Sequence, residues 1–200
     1  MDPVAKEKDF ENRLIWRANR RRVDAEVLRD SILFASGELD LTPGGRTIRK
    51  ITQYDLGYKF DTVRRSVYVP AFRNSMLPLF EVFDFANPNL VTGDRNTSTL
   101  PTQALFLMND PEVIRASTKM ADRLLAMSKI DDVERVRIAY LSTIGRKPTP
   151  AEIQAVEEYL RQEISGSHGG PDLSGDKIRQ EAWARFCHAL FASLDFRYVE

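Results

Sequence analysis

Apolar residues recur every three or four positions along most of the chain, which is the spacing that places them on one face of an α-helix. The longest such stripe predicts a first helix over residues 9–36, which Gly37 ends. Its members are Leu14, Ala18, Arg21, Ala25, Leu28, Ile32 and Ala35. Because Arg21 puts a charge in this stripe, we expect it to pair with an acid, extend to solvent or contact something outside the helix.

Six further helices are predicted downstream, over about 76–82, 102–109, 113–127, 133–144, 150–164 and 177–193. Two of them carry clear start signals. Asp110-Pro111-Glu112 supplies a cap, a first-turn proline and a first-turn acid. The sequence Thr149-Pro150-Ala151-Glu152 has the form of a capping box.

The segments between the helices predict few strands. Residues 38–61 form a long irregular connection, residues 66–70 (SVYVP) look like a short strand, and residues 165–176 are rich in Gly and Ser, as in a flexible loop. The predicted fold is mainly α: a multi-helix orthogonal bundle in a single domain, 1–200, with long irregular loops and at most one or two short strands.

Composition narrows the function classes. The 200 residues carry 29 basic and 29 acidic side chains, and this zero net charge argues against nucleic acid as a partner. A single cysteine, Cys187, excludes an intrachain disulfide and a Cys-x-x-Cys-His haem site. No metal site, cofactor or membrane span is predicted. The polar amino terminus is unlike a signal peptide, so we expect the chain to be a piece of a longer protein.

Arginine side chains are prominent among the candidate ligand-binding groups. Arg20-Arg21-Arg22 is the most basic stretch, and pairing with nearby acids is the favoured interpretation, ahead of a phosphate or sulfate site and of nucleic acid. Two polar segments, 64–74 and 95–103, are candidates for a polyol or anionic-sugar pocket if they converge in the fold. Anchoring of loops by their side chains is the favoured alternative. Their candidate ligand-binding residues are Arg64, Arg65, Arg73, Asn74, Arg95, Thr99, Thr102 and Gln103.

Catalytic candidates are few. Asp84 lies between two phenylalanines, where a carboxyl with a raised pKa acts as an acid, and Glu81 is three residues away. A salt bridge from Asp84 to Arg65 or Arg95 is the favoured alternative. His188 follows Cys187 on a helix, and adjacent helical residues point about 100° apart, so a Cys–His catalytic pair is not expected.

Several stretches form a distinctive ordered set: NRLIWRANRRRVDAEVLRD (12–30), RRSVYVP (64–70), FDF (83–85), PTQALFLMN (101–109), AYL and GRKPT (139–149), and CHALF and FRYV near the carboxyl end. Together they resemble domain of unknown function family 1553. The resemblance covers residues 12–199. One departure is Leu194-Asp195, where similar sequences are expected to have an Asn-Glu pair.

The resemblance implies a position within a larger protein and does not identify a reaction. Such domains lie at the carboxyl end of large planctomycete and related bacterial proteins, usually exported ones, behind a cytochrome c-like domain and a second uncharacterised domain. It therefore implies these upstream domains as partners and a periplasmic or extracellular location, and it brings no catalytic residues. The leading hypothesis is a non-catalytic domain that binds a partner domain or a polar or anionic ligand. The alternatives are a carbohydrate- or ester-processing enzyme using Asp84 and Glu81, and a scaffold for electron-transfer domains.

Overall fold

The computed structural model describes residues 3–48, 57–166 and 175–199. These residues form nine α-helices, one 3-10 helix (Ser66–Tyr68) and one sheet of two short strands. The helices are α1 (Pro3–Lys8), α2 (Ala25–Ser36), α3 (Pro78–Val82), α4 (Pro101–Asn109), α5 (Pro111–Leu125), α6 (Asp132–Thr143), α7 (Pro150–Ser165), α8 (Gly175–Ala192) and α9 (Leu194–Arg197). The strands are β1 (Arg21–Arg22) and β2 (Tyr198–Val199). The predicted mainly α class is confirmed.

The core forms where α5 packs against α8, with α2 against α5 and α7 against α8. Trp183 and Phe191 on α8, Met120 and Leu124 on α5, and Leu28 on α2 are fully buried there. Each lies on the apolar stripe of its helix or directly beside it, so burial of these stripes holds the helices together.

The two start signals read from the sequence are confirmed. The Asp110 carboxylate accepts hydrogen bonds from the backbone N–H groups of Glu112 and Val113 at the start of α5. At the start of α7, Thr149 and Glu152 exchange the two hydrogen bonds of a capping box. Both caps satisfy amide groups that the first helical turn leaves without partners.

The predicted first helix is wrong over residues 9–24, and only its second half exists as α2. The Asp9 carboxylate accepts hydrogen bonds from the backbone N–H groups of Arg13 and Leu14 at 2.8 and 2.7 Å. Asn12 and Ile15 adopt left-handed backbone conformations, with φ of 57° and 54°. These local bonds and turns replace the helical ladder.

The predicted strand at residues 66–70 is also wrong, because residues 66–68 form the 3-10 helix. The Asp30 carboxylate accepts a hydrogen bond from the backbone N–H of Ser66 at 2.7 Å, which ties this turn to α2. The observed sheet lies elsewhere: Arg21 pairs with Val199 and Arg22 with Tyr198 in antiparallel register.

The long connection is irregular as predicted in the part that is described, 38–48 and 57–61, apart from a bridge at Asp40. Residues 49–56 of this connection, and 167–174 of the predicted flexible loop, lie outside the described residues. Within the described ranges, no helix is long and apolar enough to cross a bilayer. Over the same ranges, no group of three or more His, Cys, Asp or Glu side chains is placed to hold a metal ion.

Candidate functional site

A polar network joins β1 to the two ends of the loop between α3 and α4. Arg22 donates from Nη2 to Oδ2 of Asp84 at 2.7 Å, and the Ser98 backbone N–H donates to the same oxygen at 2.8 Å. The Ser98 hydroxyl lies 2.9 Å from Oδ1 of Asp84. Gln103, which is fully buried, donates to the Val82 and Ser98 carbonyl oxygens. The network therefore holds together β1, the two ends of the loop between α3 and α4, and the start of α4.

The network does not give Asp84 the properties of a general acid. Burial alone would raise the pKa of this carboxyl, but hydrogen bonds from Ser98 and the charge and hydrogen bond of Arg22 outweigh it, so the pKa lies below its ordinary value. A general acid at neutral pH needs the opposite shift. Glu81, the other catalytic candidate, is exposed on α3.

The partner predicted for Asp84 is wrong: Arg22 pairs with it, and Arg65 and Arg95 pair elsewhere. Arg22 lies within the predicted helix 9–36, but in the structure it belongs to β1, and there it reaches Asp84.

Arg64 and Arg65 anchor loops to the body of the protein. The Arg64 guanidinium donates to backbone carbonyls of the loop 42–46, including that of Thr42 at 2.9 Å, and lies 4.1 Å from the centroid of the Tyr68 ring. Arg65 lies 3.4 Å from the Asp30 carboxylate on α2. These contacts match the loop-anchoring alternative.

The remaining candidate binding residues are spread over the surface and the network. Arg95 pairs with Glu26 at 2.8 Å and lies over the Phe85 ring, and the Thr99 hydroxyl lies 2.9 Å from the Tyr198 hydroxyl. Arg73, Asn74 and Thr102 are exposed. The structure therefore brings Asp84 and Gln103 together through Ser98, while Arg64 and Arg65 belong to the flank of α2.

Cys187 and His188 point to different surroundings. Cys187 is fully buried, and this burial raises the pKa of its thiol to about 12. His188 Nε2 lies 2.9 Å from the Leu107 carbonyl oxygen on α4. His188 therefore contacts α4, while Cys187 lies within the core.

Residues 9–19, here called the N-terminal loop, present an apolar surface that the sequence did not predict. Phe10, Leu14 and Ile15 are 76%, 84% and 75% exposed. The loop is nevertheless held by its own polar groups. Asn12, only 5% exposed, donates from Nδ2 to the Arg17 carbonyl at 2.9 Å and to the Asn19 side chain at 2.7 Å.

A cavity of about 370 Å³ opens between α2, α3, α5 and the segment 60–63. Its apolar wall includes Ile32, Leu79 and Val113, side chains that otherwise belong to the core. Five charged residues also line it: Arg29, Asp61, Asp110, Glu112 and Arg115. None of the eight predicted ligand-binding residues is among its described lining residues.

Comparison with protein families gave a match over most of this architecture. The model of the family described as "Protein of unknown function (DUF1553)" matches residues 1–160. The chain belongs to this family. The DUF1553 match includes the N-terminal loop, the Asp84 network and the cavity, while α8 and its core residue Trp183 lie beyond the matched residues. The searches of curated proteins and of solved structures found no match.

Proposed function

We propose that this DUF1553 domain is a non-catalytic interaction domain that docks onto another protein domain through its N-terminal loop. The observation that carries the proposal is the set of three large apolar side chains, Phe10, Leu14 and Ile15, each at least three-quarters exposed within six consecutive residues. Scattered exposed apolar residues are ordinary, but a cluster of large ones is typical of an interaction site.

The shape of the loop is fixed before any partner binds. Ile15 is a β-branched residue with a φ of 54°, a conformation that costs of the order of 1–2 kcal/mol and is rare for such residues. Hydrogen bonds from the Asn12 side chain and to the Asp9 carboxylate hold the backbone around it. A preorganised apolar loop loses less conformational entropy on docking than a flexible one.

Charge around the loop indicates the chemistry of the partner surface. The Arg13 side chain is 81% exposed, and its ion pair with Glu11 is long, at 3.9 Å. Arg21, at the start of β1, is exposed and forms no ion pair with any residue that the structure describes. The partner surface we propose is therefore an apolar patch bordered by carboxylates.

The family resemblance supports a domain of the same polypeptide as this partner. We propose that the cytochrome c-like domain or the second uncharacterised domain upstream carries the complementary patch, in an exported protein. A polar-ligand or hydrolase function has weaker support, because Arg22, Arg65 and Arg95 are each paired with an acid of this chain and the pKa of Asp84 is lowered.

The test measures calorimetric binding between this chain and the separately purified upstream domains of its polypeptide. A loop variant with Phe10→Ser, Leu14→Ser and Ile15→Ser is compared with a control variant carrying Leu41→Ser, Val67→Ser and Leu90→Ser, whose side chains are similarly exposed elsewhere. We expect roughly a hundredfold weaker binding for the loop variant only. Equal binding by the two variants, or no binding by the wild-type chain, overturns the proposal.

A further inference from the structure

The cavity between α2, α3 and α5 has the size and lining of a ligand-binding site, and it is separate from the N-terminal loop. We propose that it binds a small organic cation, consisting of an apolar body and one primary ammonium group. Its volume of about 370 Å³ is at the lower end of the range typical of small-molecule pockets. The apolar body packs against Ile32, Leu79 and Val113, which line the wall.

The charges that line the cavity favour a positive ligand. Both lining arginines are occupied by groups of the protein itself. Arg29, buried beneath the segment 62–66, donates to the Thr62 and Arg64 carbonyl oxygens. Arg115 pairs with Glu38 and with Glu112.

Three carboxylates line the same cavity, on Asp61, Asp110 and Glu112. Two more, Glu38 and Asp30, lie within 4 Å of the lining arginines. Arg65 pairs with Asp30, and the five carboxylates still outnumber the three guanidinium groups of Arg29, Arg65 and Arg115. The local sum is therefore negative, and a cation is the complementary charge.

Asp110 supplies a defined attachment point for the ammonium group. Its Oδ1 accepts both cap hydrogen bonds of α5, from the backbone N–H groups of Glu112 and Val113 at 3.0 and 3.2 Å. Its Oδ2 accepts no hydrogen bond from any residue in the described part of the chain. Asp110 is half-buried, and a charged hydrogen bond in such a position is stronger than one in open solvent.

The probe series is 2-phenylethylamine, 2-phenylethanol and 3-phenylpropanoate, which share the apolar body and differ in charge. Binding to the whole chain is followed by NMR chemical-shift titration. We expect the amine to bind at least about tenfold more tightly than the alcohol and the carboxylate to bind most weakly, because only the amine donates a charged hydrogen bond. Equal affinities, or no binding by the amine at millimolar concentration, overturn the proposal.

Two matched variants locate the site. Asp110→Asn keeps a good N-cap for α5 but removes the charge, and Asp131→Asn makes the same change at the N-cap of α6. We expect Asp110→Asn to weaken amine binding about tenfold and Asp131→Asn to leave it unchanged. Amine binding that is equal in both variants places the ligand elsewhere and overturns the proposal.

Discussion

Arg22 and Asp84 lie 62 residues apart in the sequence, and a guanidinium nitrogen of Arg22 lies 2.7 Å from a carboxylate oxygen of Asp84. The ion pair is largely buried, with side-chain exposures of 5% and 19%. Together with the pairing of β1 and β2, it fixes the end of the segment that carries the N-terminal loop. The carboxyl end of the N-terminal loop is therefore anchored to the body of the protein, as the proposed docking requires.

Removing the charge of Asp84 tests how much the Arg22–Asp84 ion pair stabilises the fold. Asp84→Asn keeps a residue that tolerates the left-handed φ of 59°, but it leaves the buried Arg22 without a counter-ion. We expect the free energy of unfolding to fall by about 2–4 kcal/mol. Glu81→Gln, on the exposed side of α3, is the control and should change it by less than about 0.5 kcal/mol. Urea unfolding of both variants measures the difference, and equal changes would contradict the role of the pair.

Acid should weaken the ion pair between Arg146 and Glu152. The hydrogen bonds from Arg146, with those from Thr149, outweigh burial and lower the pKa of Glu152 from 4.5 to about 2. Because the pKa is lower in the folded state, this stabilisation is present above about pH 4.5 and is lost as the pH falls towards 2.

The variant Glu152→Gln isolates this charge, since Gln retains the capping box. We expect the wild-type chain to be more stable than the variant above pH 4.5, with the difference shrinking as the pH falls to about 2. Denaturant unfolding at several pH values measures both curves. Parallel curves over this range would show that the ion pair contributes no pH dependence.

Replacing Ile15 with a residue that adopts the left-handed conformation more easily should stabilise the folded chain. Asn adopts left-handed conformations more readily than a β-branched residue, and the Ile15 side chain buries little, so Ile15→Asn should raise the free energy of unfolding by about 1 kcal/mol. Leu14→Asn, at a neighbouring exposed position where no left-handed φ is found, should give no such gain. Thermal or urea unfolding checks both, and a loss of stability in Ile15→Asn would show that the conformation is not strained.

Cys187 offers a direct probe of the core between α5 and α8. It is the only cysteine in the sequence, its side chain is fully buried, and burial raises the pKa of its thiol to about 12. We expect a thiol reagent at pH 8 to react at least about a thousandfold more slowly with the folded chain than with the chain in urea. Rapid labelling of the folded chain would show that this core opens readily.

Local signals made the carboxyl-terminal helices predictable. Asp110-Pro111 and Thr149-Pro150 are cap sequences whose hydrogen bonds form within three residues, so no distant contact is needed to place them. Most of the apolar stripe on α5 is buried, and so are Val156 and Leu160 on α7, because the amphipathic period and the tertiary packing agree there; Ile164, at the end of α7, is exposed.

The same reasoning failed before α2. Leu14 and Ala18 extend the stripe of α2 backwards, but both are exposed, and the side chains of Asp9 and Asn12 form local hydrogen bonds that compete with a helix. Spacing alone does not distinguish an apolar residue that faces the core from one that is exposed at the surface.

The candidate site was harder to predict, because its contacts join distant segments. Loop anchoring was the favoured alternative for the segment that contains Arg64, whose guanidinium donates to carbonyls of the loop 42–46. Nothing in the sequence pairs Arg22 with Asp84 rather than with a nearer acid. The cavity has no sequence signal of its own, since Ile32, Leu79 and Val113 are typical core residues. The cap sequence at Asp110 is the one part of it that the pattern revealed.

Photo-crosslinking in a polypeptide that carries the proposed upstream domains tests docking through the N-terminal loop most directly. The photoreactive residue p-benzoylphenylalanine replaces Leu14 in one protein and Val67 in another, two side chains that are 84% and 71% exposed in this chain. We expect irradiation to join position 14 to an acid-bordered apolar patch on an upstream domain, with no such product from position 67. Absence of crosslinks from position 14, or equal crosslinks from both positions, would contradict docking through this loop.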